Sequence, residues 1–366
     1  MSRSIKIRSL ASRPTFGLTL KRKKPQQKMS AFSRVCASLK SPRVSAVLLV
    51  VGYVACSLAG CSVASWKSPL GRDHPLTGRI WEVASGRFID RQSLVTHLAR
   101  ADFVLLGERH DSPDHHLLQA EVLRGLIAVG RRPAVGFEMF GLEDTKAIAD
   151  HLAAAPNDAA GLGSAVNWDK RGWPDWAMYQ PIAEAALEAN LRIVATNLPL
   201  ATARKMTREG VAALDPRTVR DLGLDRPPPE SVFAAMAADI RDAHCGYASE
   251  ESVKAMVGVQ RGRDAQMAQS LIAAANPDGA VLIAGAGHVR NDYGIPVYLR
   301  SRAPGKPVIS IAFLEVDKQK TDPQRYGLPY PNGRLPFDYV WFTPRLDDED
   351  PCEKFKSQFD QLKKAQ

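Results

Sequence analysis

The sequence predicts an α/β fold: a mainly parallel central sheet flanked by helices, with a helical insert subdomain. Three observations predict it. Short, nearly all-apolar runs recur between residues 103 and 313, as strands covered on both faces require. Stretches of helical period lie between several of them, the alternation of a layered α/β domain. One long span, about 198–277, has helical stretches rich in Ala and Met but no strand-like run.

The elements follow in order. Strands are expected at 103–106, 134–137, 192–195, 280–284 and 308–313. A helix is expected over about 113–129, opened by Pro113, with Leu117, Leu118, Val122 and Leu126 at helical spacing. Asp111 or Ser112 is placed to cap it. His115 and His116 are expected in its first turn, partly exposed and outside any site. A second helix is expected over about 174–189, stopped by Asn190 in the left-handed region. Arg226-Pro227-Pro228-Pro229 interrupts the insert as a rigid turn. After Leu314 the chain turns polar and rich in Pro and Gly, with one further strand expected within 337–342 and a charged tail from Pro351.

Charge marks off the first sixty residues. The chain carries a formal net charge of +10, but residues 1–60 hold twelve Lys and Arg and no acid. The remainder has 37 basic against 39 acidic residues, so no nucleic-acid footprint survives their removal. The basic stretch ends at Arg43, and an uncharged, mostly apolar run follows to Ala59. That run is short for a membrane span and suits a signal peptide. It closes in Leu58-Ala59-Gly60-Cys61, the pattern of a bacterial lipoprotein signal. The expectation is cleavage before Cys61, whose thiol and amino group take acyl chains (palmitate among them), enough for stable anchoring. Ser62 after it resembles the Gram-negative pattern for the outer membrane, facing the periplasm. The expected organisation is a signal peptide over 1–60, a lipidated N-terminus and linker over 61–77, an α/β domain over 78–315, and a C-terminal extension over 316–366. Cys245 and Cys352 then remain, able to pair in an oxidising compartment.

The polar residues fall at strand ends. The first strand runs into Gly107-Glu108-Arg109-His110-Asp111, the second into Glu138-Met139, the third into Thr196-Asn197, the fourth into Gly285-Ala286-Gly287-His288. In a parallel sheet these ends converge on one crevice, where ligands bind. Glu108, His110, Glu138 and His288 should therefore meet, with Asn197 at the edge, as an acid–base or metal site. Any one of them alone is more often a capping or hydrogen-bonded residue, and Arg109 reads as a charge partner for Glu108. No metal-type ligand spacing is present.

These motifs resemble the ChaN family of haem-binding lipoproteins. Further matches are Asn167-Trp168 through Trp173-Pro174, Tyr179-Gln180-Pro181-Ile182, Asn197-Leu198-Pro199, His244-Cys245-Gly246, Gln260-Arg261-Gly262-Arg263-Asp264 with Met267-Ala268, and Asp292-Tyr293-Gly294-Ile295-Pro296. The resemblance covers roughly 78–315. It implies a membrane-anchored protein of haem or iron uptake that binds ferric haem. A tyrosine phenolate suits ferric iron. Tyr293 is the first candidate, expected at the crevice mouth beside Gly294, with Arg290 near enough to lower its pKa. Position alone equally suits a half-buried tyrosine anchoring a turn. Tyr179 is the second candidate, although its neighbours Trp173 and Trp176 read more as core. Met236, Met256, Met267 and Phe233 could wall a haem, and His244, Lys254, Arg261 or Arg263 could meet its propionates. The same composition suits a homodimer interface, and haem held between two protomers satisfies both. The wider group that the resemblance reaches includes erythromycin-esterase-like and Tiki-type hydrolases. The alternative is accordingly a metal-dependent or acid–base hydrolase (esterase or peptidase) using Glu108, His110, Glu138 and His288. A third reading, suggested by the anchor, is a non-catalytic partner of an outer-membrane receptor.

Overall fold

The computed structural model describes residues 66–350 except 331–332, together with 352, 353 and 356. The expected signal peptide over 1–60 and the expected lipidation at Cys61 lie outside the described residues. The described residues all belong to one compact unit. Among the described residues, eight strands and ten helices alternate along the chain. They begin β1 (Ile80–Glu82), β2 (Arg87–Ile89), α1 (Arg91–Leu98), β3 (Phe103–Glu108), α2 (Pro113–Ala128) and β4 (Ala134–Gly141). There follow α3 (Thr145–Ala154), α4 (Ala159–Ala165), α5 (Trp176–Glu188) and β5 (Ile193–Asn197). The insert is α6 (Leu200–Glu209), α7 (Pro216–Asp221), α8 (Glu230–Ala243) and α9 (Glu250–Ala274). The chain ends with β6 (Ala280–Gly285), α10 (Ile295–Arg302), β7 (Val308–Glu315) and β8 (Tyr339–Thr343).

The sheet order is β2-β1-β8-β7-β3-β6-β4-β5. The six strands from β8 to β5 are parallel, and β1 and β2 add an antiparallel edge. The expected fold class is therefore what forms, and no strand interrupts the insert. The strand expected within 337–342 lies between β1 and β7, so residues beyond 315 supply an interior strand of the sheet. Asn190 takes φ 55°, the left-handed stop expected of it. Ser112 stands at the N-cap of α2 without a side-chain capping bond, so Pro113 opens this helix unaided. No helix among the described residues is long and apolar enough to cross a membrane.

Strand parity sets up the site. Val104, Leu106, Val281 and Ile283 pack on one face of the sheet against α1, α2 and α5. Phe103, Leu105, Leu282 and Ala284 pack on the other, against α9 and α10. Successive side chains alternate faces, so Glu108, in step with 104 and 106, turns toward α2 and α5. Glu138 is in step with Ala134, which packs on the α9 face. It is also in step with Gly136, whose missing Cβ would lie 3.1 Å from Leu271 of α9.

Candidate functional site: a buried carboxylate–imidazole cluster at the strand ends

β6 lies between β3 and β4, so the strands that lead into Glu108, Glu138 and His288 are neighbours, with Glu108 paired to Gly285. Two glycines permit the closeness. A Cβ on Gly107 would stand 2.3 Å from Val289 Cγ2, so only glycine lets the loop after β6 fold over β3. A Cβ on Gly285 would stand 3.0 Å from His110 Nε2 and 3.6 Å from Glu138 Oε2. The four residues expected to converge do meet, and three more join them.

The first half centres on Glu108, which is 2% exposed. Its Oε1 accepts from His110 Nδ1 at 2.9 Å and from the Tyr179 hydroxyl at 2.8 Å. Its Oε2 lies 2.8 Å from His116 Nδ1, and His116 Nε2 donates to the His110 carbonyl at 2.9 Å. Burial works against the charge on Glu108, but His116 and His110 outweigh it and hold its pKa down to about 2. Burial likewise opposes protonation of both histidines, and Glu108 outweighs it, so both are raised. Tyr179 is shifted up by burial and by Glu108, which fixes it as a neutral donor.

The second half is Glu138–His288–Asp264. Glu138 accepts the Gly285 N–H at 2.7 Å and faces His288 Nε2 at 3.1 Å. His288 Nδ1 pairs with Asp264 Oδ1, from α9. Burial would keep His288 neutral, but the two carboxylates push it up to about 10. Burial would raise Glu138, yet His288 holds it well below the usual carboxylate range. Burial lifts Asp264 to about 6 against the pull of His288. His110 joins the halves: Glu138 also raises its pKa, and its ring packs edge-on against Trp173 with centroids 4.9 Å apart. Beside the cluster opens a cleft of about 250 Å³, lined by Glu138, Trp173, Asn197, Arg171 and Arg263 among others.

Several expectations need correction. His115 and His116 are fully buried, not partly exposed. His116 is a member of the cluster; His115 is structural, accepting from the Arg109 N–H and bonded to Thr343, with burial holding its pKa down to about 3. Arg109 pairs with Asp111 and Glu315, not with Glu108. Tyr293 does not open at the crevice mouth: it is 7% exposed and its hydroxyl donates to Asp239 of α8. Burial raises its pKa, and the opposing pull of Arg290, 4.2 Å from the ring centroid, does not reverse this. Met267 packs under the sheet instead of walling the insert. Met236 and Phe233 do pack around Tyr293, with Ala237, Val253 and Val257. His244 Nδ1 lies against the Ile240 carbonyl at the end of α8, Arg261 reaches the Arg226 carbonyl, and Arg263 lines the strand-end cleft. Among the described residues, no group of three His, Cys, Asp or Glu is set to hold a metal ion.

His116 and Asp264 were legible in principle. His116 shares a buried helical stripe with Ala120 and Leu123, and Asp264 one with Ala268 and Leu271. A polar residue on such a stripe needs a buried partner.

Residues 94–299 match the family described as haem-binding uptake, Tiki superfamily, ChaN. The chain belongs to the ChaN family. Haem is the cofactor of that family. ChaN of Campylobacter jejuni, solved with cofacially bound haem, has 19% identity and a TM-score of 0.57, over 72% of this chain and 95% of that one. That likeness is one of fold. An erythromycin esterase in its open conformation (12% identity, TM-score 0.39, 71% of this chain and 95% of that one) is a weaker neighbour. So is the type III effector HopBA1 (13%, 0.36, 77% and 99%), and neither carries an argument here. No curated protein matches the chain.

Proposed function

We propose that this ChaN-family chain is a lipid-anchored envelope protein of haem or iron uptake that holds ferric haem through the Tyr293 phenolate. The supporting observation is the setting of Tyr293. It is a tyrosine of the insert side walled by Met236, Ala237, Val253 and Val257, with the Arg290 guanidinium over its ring. Apolar walls suit a porphyrin, and a cation beside the phenol favours its anion once iron has displaced the proton. Asp239 must give up the hydroxyl for this to happen. Arg263, with His244, remains proposed for the propionates. The Cys61 anchor, an outer-membrane position facing the periplasm, a receptor partner there and a homodimer belong to the same reading. The cofacial haem of the Campylobacter protein supports a pair of protomers presenting haem to one another.

A haemin titration of the full chain in detergent should give a saturable Soret band with tyrosinate charge-transfer bands. Non-saturable association alone would sink the proposal. Because the Tyr293 pKa is raised above the ordinary phenol value, binding must release a proton near neutral pH. Apparent affinity should then rise about tenfold per pH unit between pH 6 and 9, and proton release should appear in calorimetry as a dependence on buffer ionisation enthalpy.

One observation favours a second activity. The His110 side chain is 34% exposed while buried Glu108 engages its Nδ1, and it packs on Trp173, a wall of the cleft. A base so oriented can take a proton from water attacking an ester or peptide carbonyl. Wild-type hydrolysis of a nitrophenyl ester, lost in Glu108→Gln while the Soret titration is unchanged, would establish it. Absence of wild-type hydrolysis removes it.

A further inference from the structure

α8 covers Tyr293 and is itself only lightly buried. Only Met236 and Ala237 of its fourteen residues are buried. Three other ties fasten it. Asp239 accepts from Arg290 and from the Tyr293 hydroxyl. Arg241 pairs with Glu250 in the first turn of α9 at 2.6 Å, an exposed pair that contributes little. The third tie is covalent: Cys245, in the loop after α8, is bonded to Cys352, 107 residues away. Cys245 and Gly246 take φ 54° and 72°, left-handed values that a cysteine seldom adopts.

The described stretch ahead of Cys352 is fastened to the sheet at its start. Residues 344–350 leave the interior strand β8 as a strap. Arg345 bonds the backbone of Leu70 in both directions and reaches the Val316 carbonyl. The Leu346 N–H donates to Glu315 Oε1 of β7 at 3.0 Å. The disulfide therefore ties the C-terminal end of a lightly buried helix to the segment that follows β8. Without it, α8 is held by Met236, Ala237 and the partly buried Val232, Phe233, Ala235 and Ile240, by the bonds of Asp239 to Arg290 and Tyr293, and by the exposed Arg241–Glu250 pair, a mostly half-buried helix of the kind that opens locally.

We propose that the Cys245–Cys352 disulfide is a redox latch on α8, so that its reduction frees the helix and speeds haem exchange at Tyr293. The inference rests on the haem reading of that tyrosine. The chemistry balances with a dithiol reductant. One thiolate attacks a sulfur of the disulfide, the S–S bond breaks, and the mixed disulfide is resolved by the second thiol. The reductant leaves as its own disulfide, and Cys245 and Cys352 each leave as a thiol.

Two measurements on the full chain test it. The first, without haem, is amide hydrogen exchange before and after treatment with dithiothreitol. The α8 amides should exchange about tenfold faster after reduction while those of α2 and β3 keep their rates. Equal α8 rates in the two states overturn the latch. The second is haem transfer to apomyoglobin. Transfer should speed up on reduction, and Cys352→Ser should be fast with or without reductant. Faster α8 exchange with unchanged haem transfer overturns the gating role. A chain that takes up no haem defeats the haem reading, and the exchange data still decide the latch.

Discussion

Tyr293→Phe is expected to lower ferric-haem affinity by at least about a hundredfold, roughly 3 kcal/mol, and to abolish the tyrosinate charge-transfer bands. The substitution removes one oxygen and leaves the ring among Met236, Val253 and Val257. It also releases Asp239 from a buried phenol, while Arg290 keeps Asp239 and Asp292 as partners, so the fold should lose little. Tyr247→Phe is the matched control: Tyr247 lies in the α8–α9 loop and is 47% exposed. Tyr179→Phe is a second control, because that hydroxyl is committed to Glu108. Visible absorbance of all three with haemin decides the ligand. If Tyr293→Phe keeps the wild-type spectrum and affinity, the assignment fails. If Tyr247→Phe alone loses both, the ligand is the exposed loop tyrosine.

His288→Ala is expected to destabilise the protein by roughly 3–5 kcal/mol, the usual consequence of removing one partner from a buried ionic network. His288 bridges Glu138 and Asp264, at 3.1 Å and 2.5 Å. Its loss leaves two buried carboxylates to repel one another, so at least one must take up a proton. Burial already lifts Asp264 to about 6, which makes it the acceptor. The pH dependence follows from the same pairing. The unfolded imidazole titrates near about 6.5, and folded His288 is pushed up to about 10. A raised pKa means that the folded state binds the proton more tightly. The stabilisation is therefore complete below the unfolded value and is lost as pH rises toward the folded one. The Tm of the wild type should fall steadily from pH 7 to pH 10, and the fall should be shallower in His288→Ala. A wild-type Tm flat across that window, or a variant as stable as wild type, would show that the cluster contributes no net stability.

Why the cluster is kept follows from its wiring. Glu108 is held by His110, His116 and Tyr179, and Glu138 by His288 and the Gly285 N–H. Buried charges so paired, although Glu108 Oε2 and Asp264 Oδ2 accept no hydrogen bond, fix the relative positions of β3, β4, β6, α2 and α9 more than they add stability. The same wiring limits what the site can do. His110 is the member with a partly exposed ring, oriented by Glu108 and packed on Trp173 of the cleft wall, while Glu138 is the member that lines the cleft itself.

What the sequence alone determined is what depends on local period and chain order. Apolar runs flanked by turn residues located β3 to β7, because a strand buried on both faces must be apolar throughout. The place of Glu108, Glu138 and His288 at the ends of parallel strands required them to converge, since those ends share one edge of the sheet. Tertiary structure decided what depends on which face a residue turns to and what packs there. It put His116 inside the cluster, because its stripe on α2 faces β3, and it brought Asp264 to His288 from the far side of the insert. It separated Tyr293 from the crevice mouth, because α8 folds over it and Asp239 takes its hydroxyl. It also drew residues 339–343 into the middle of the sheet and Cys352 to Cys245. Contacts between different elements, from the 24 residues between Asp264 and His288 to the 107 between the two cysteines, leave no period in the chain, so only the packed fold could supply them.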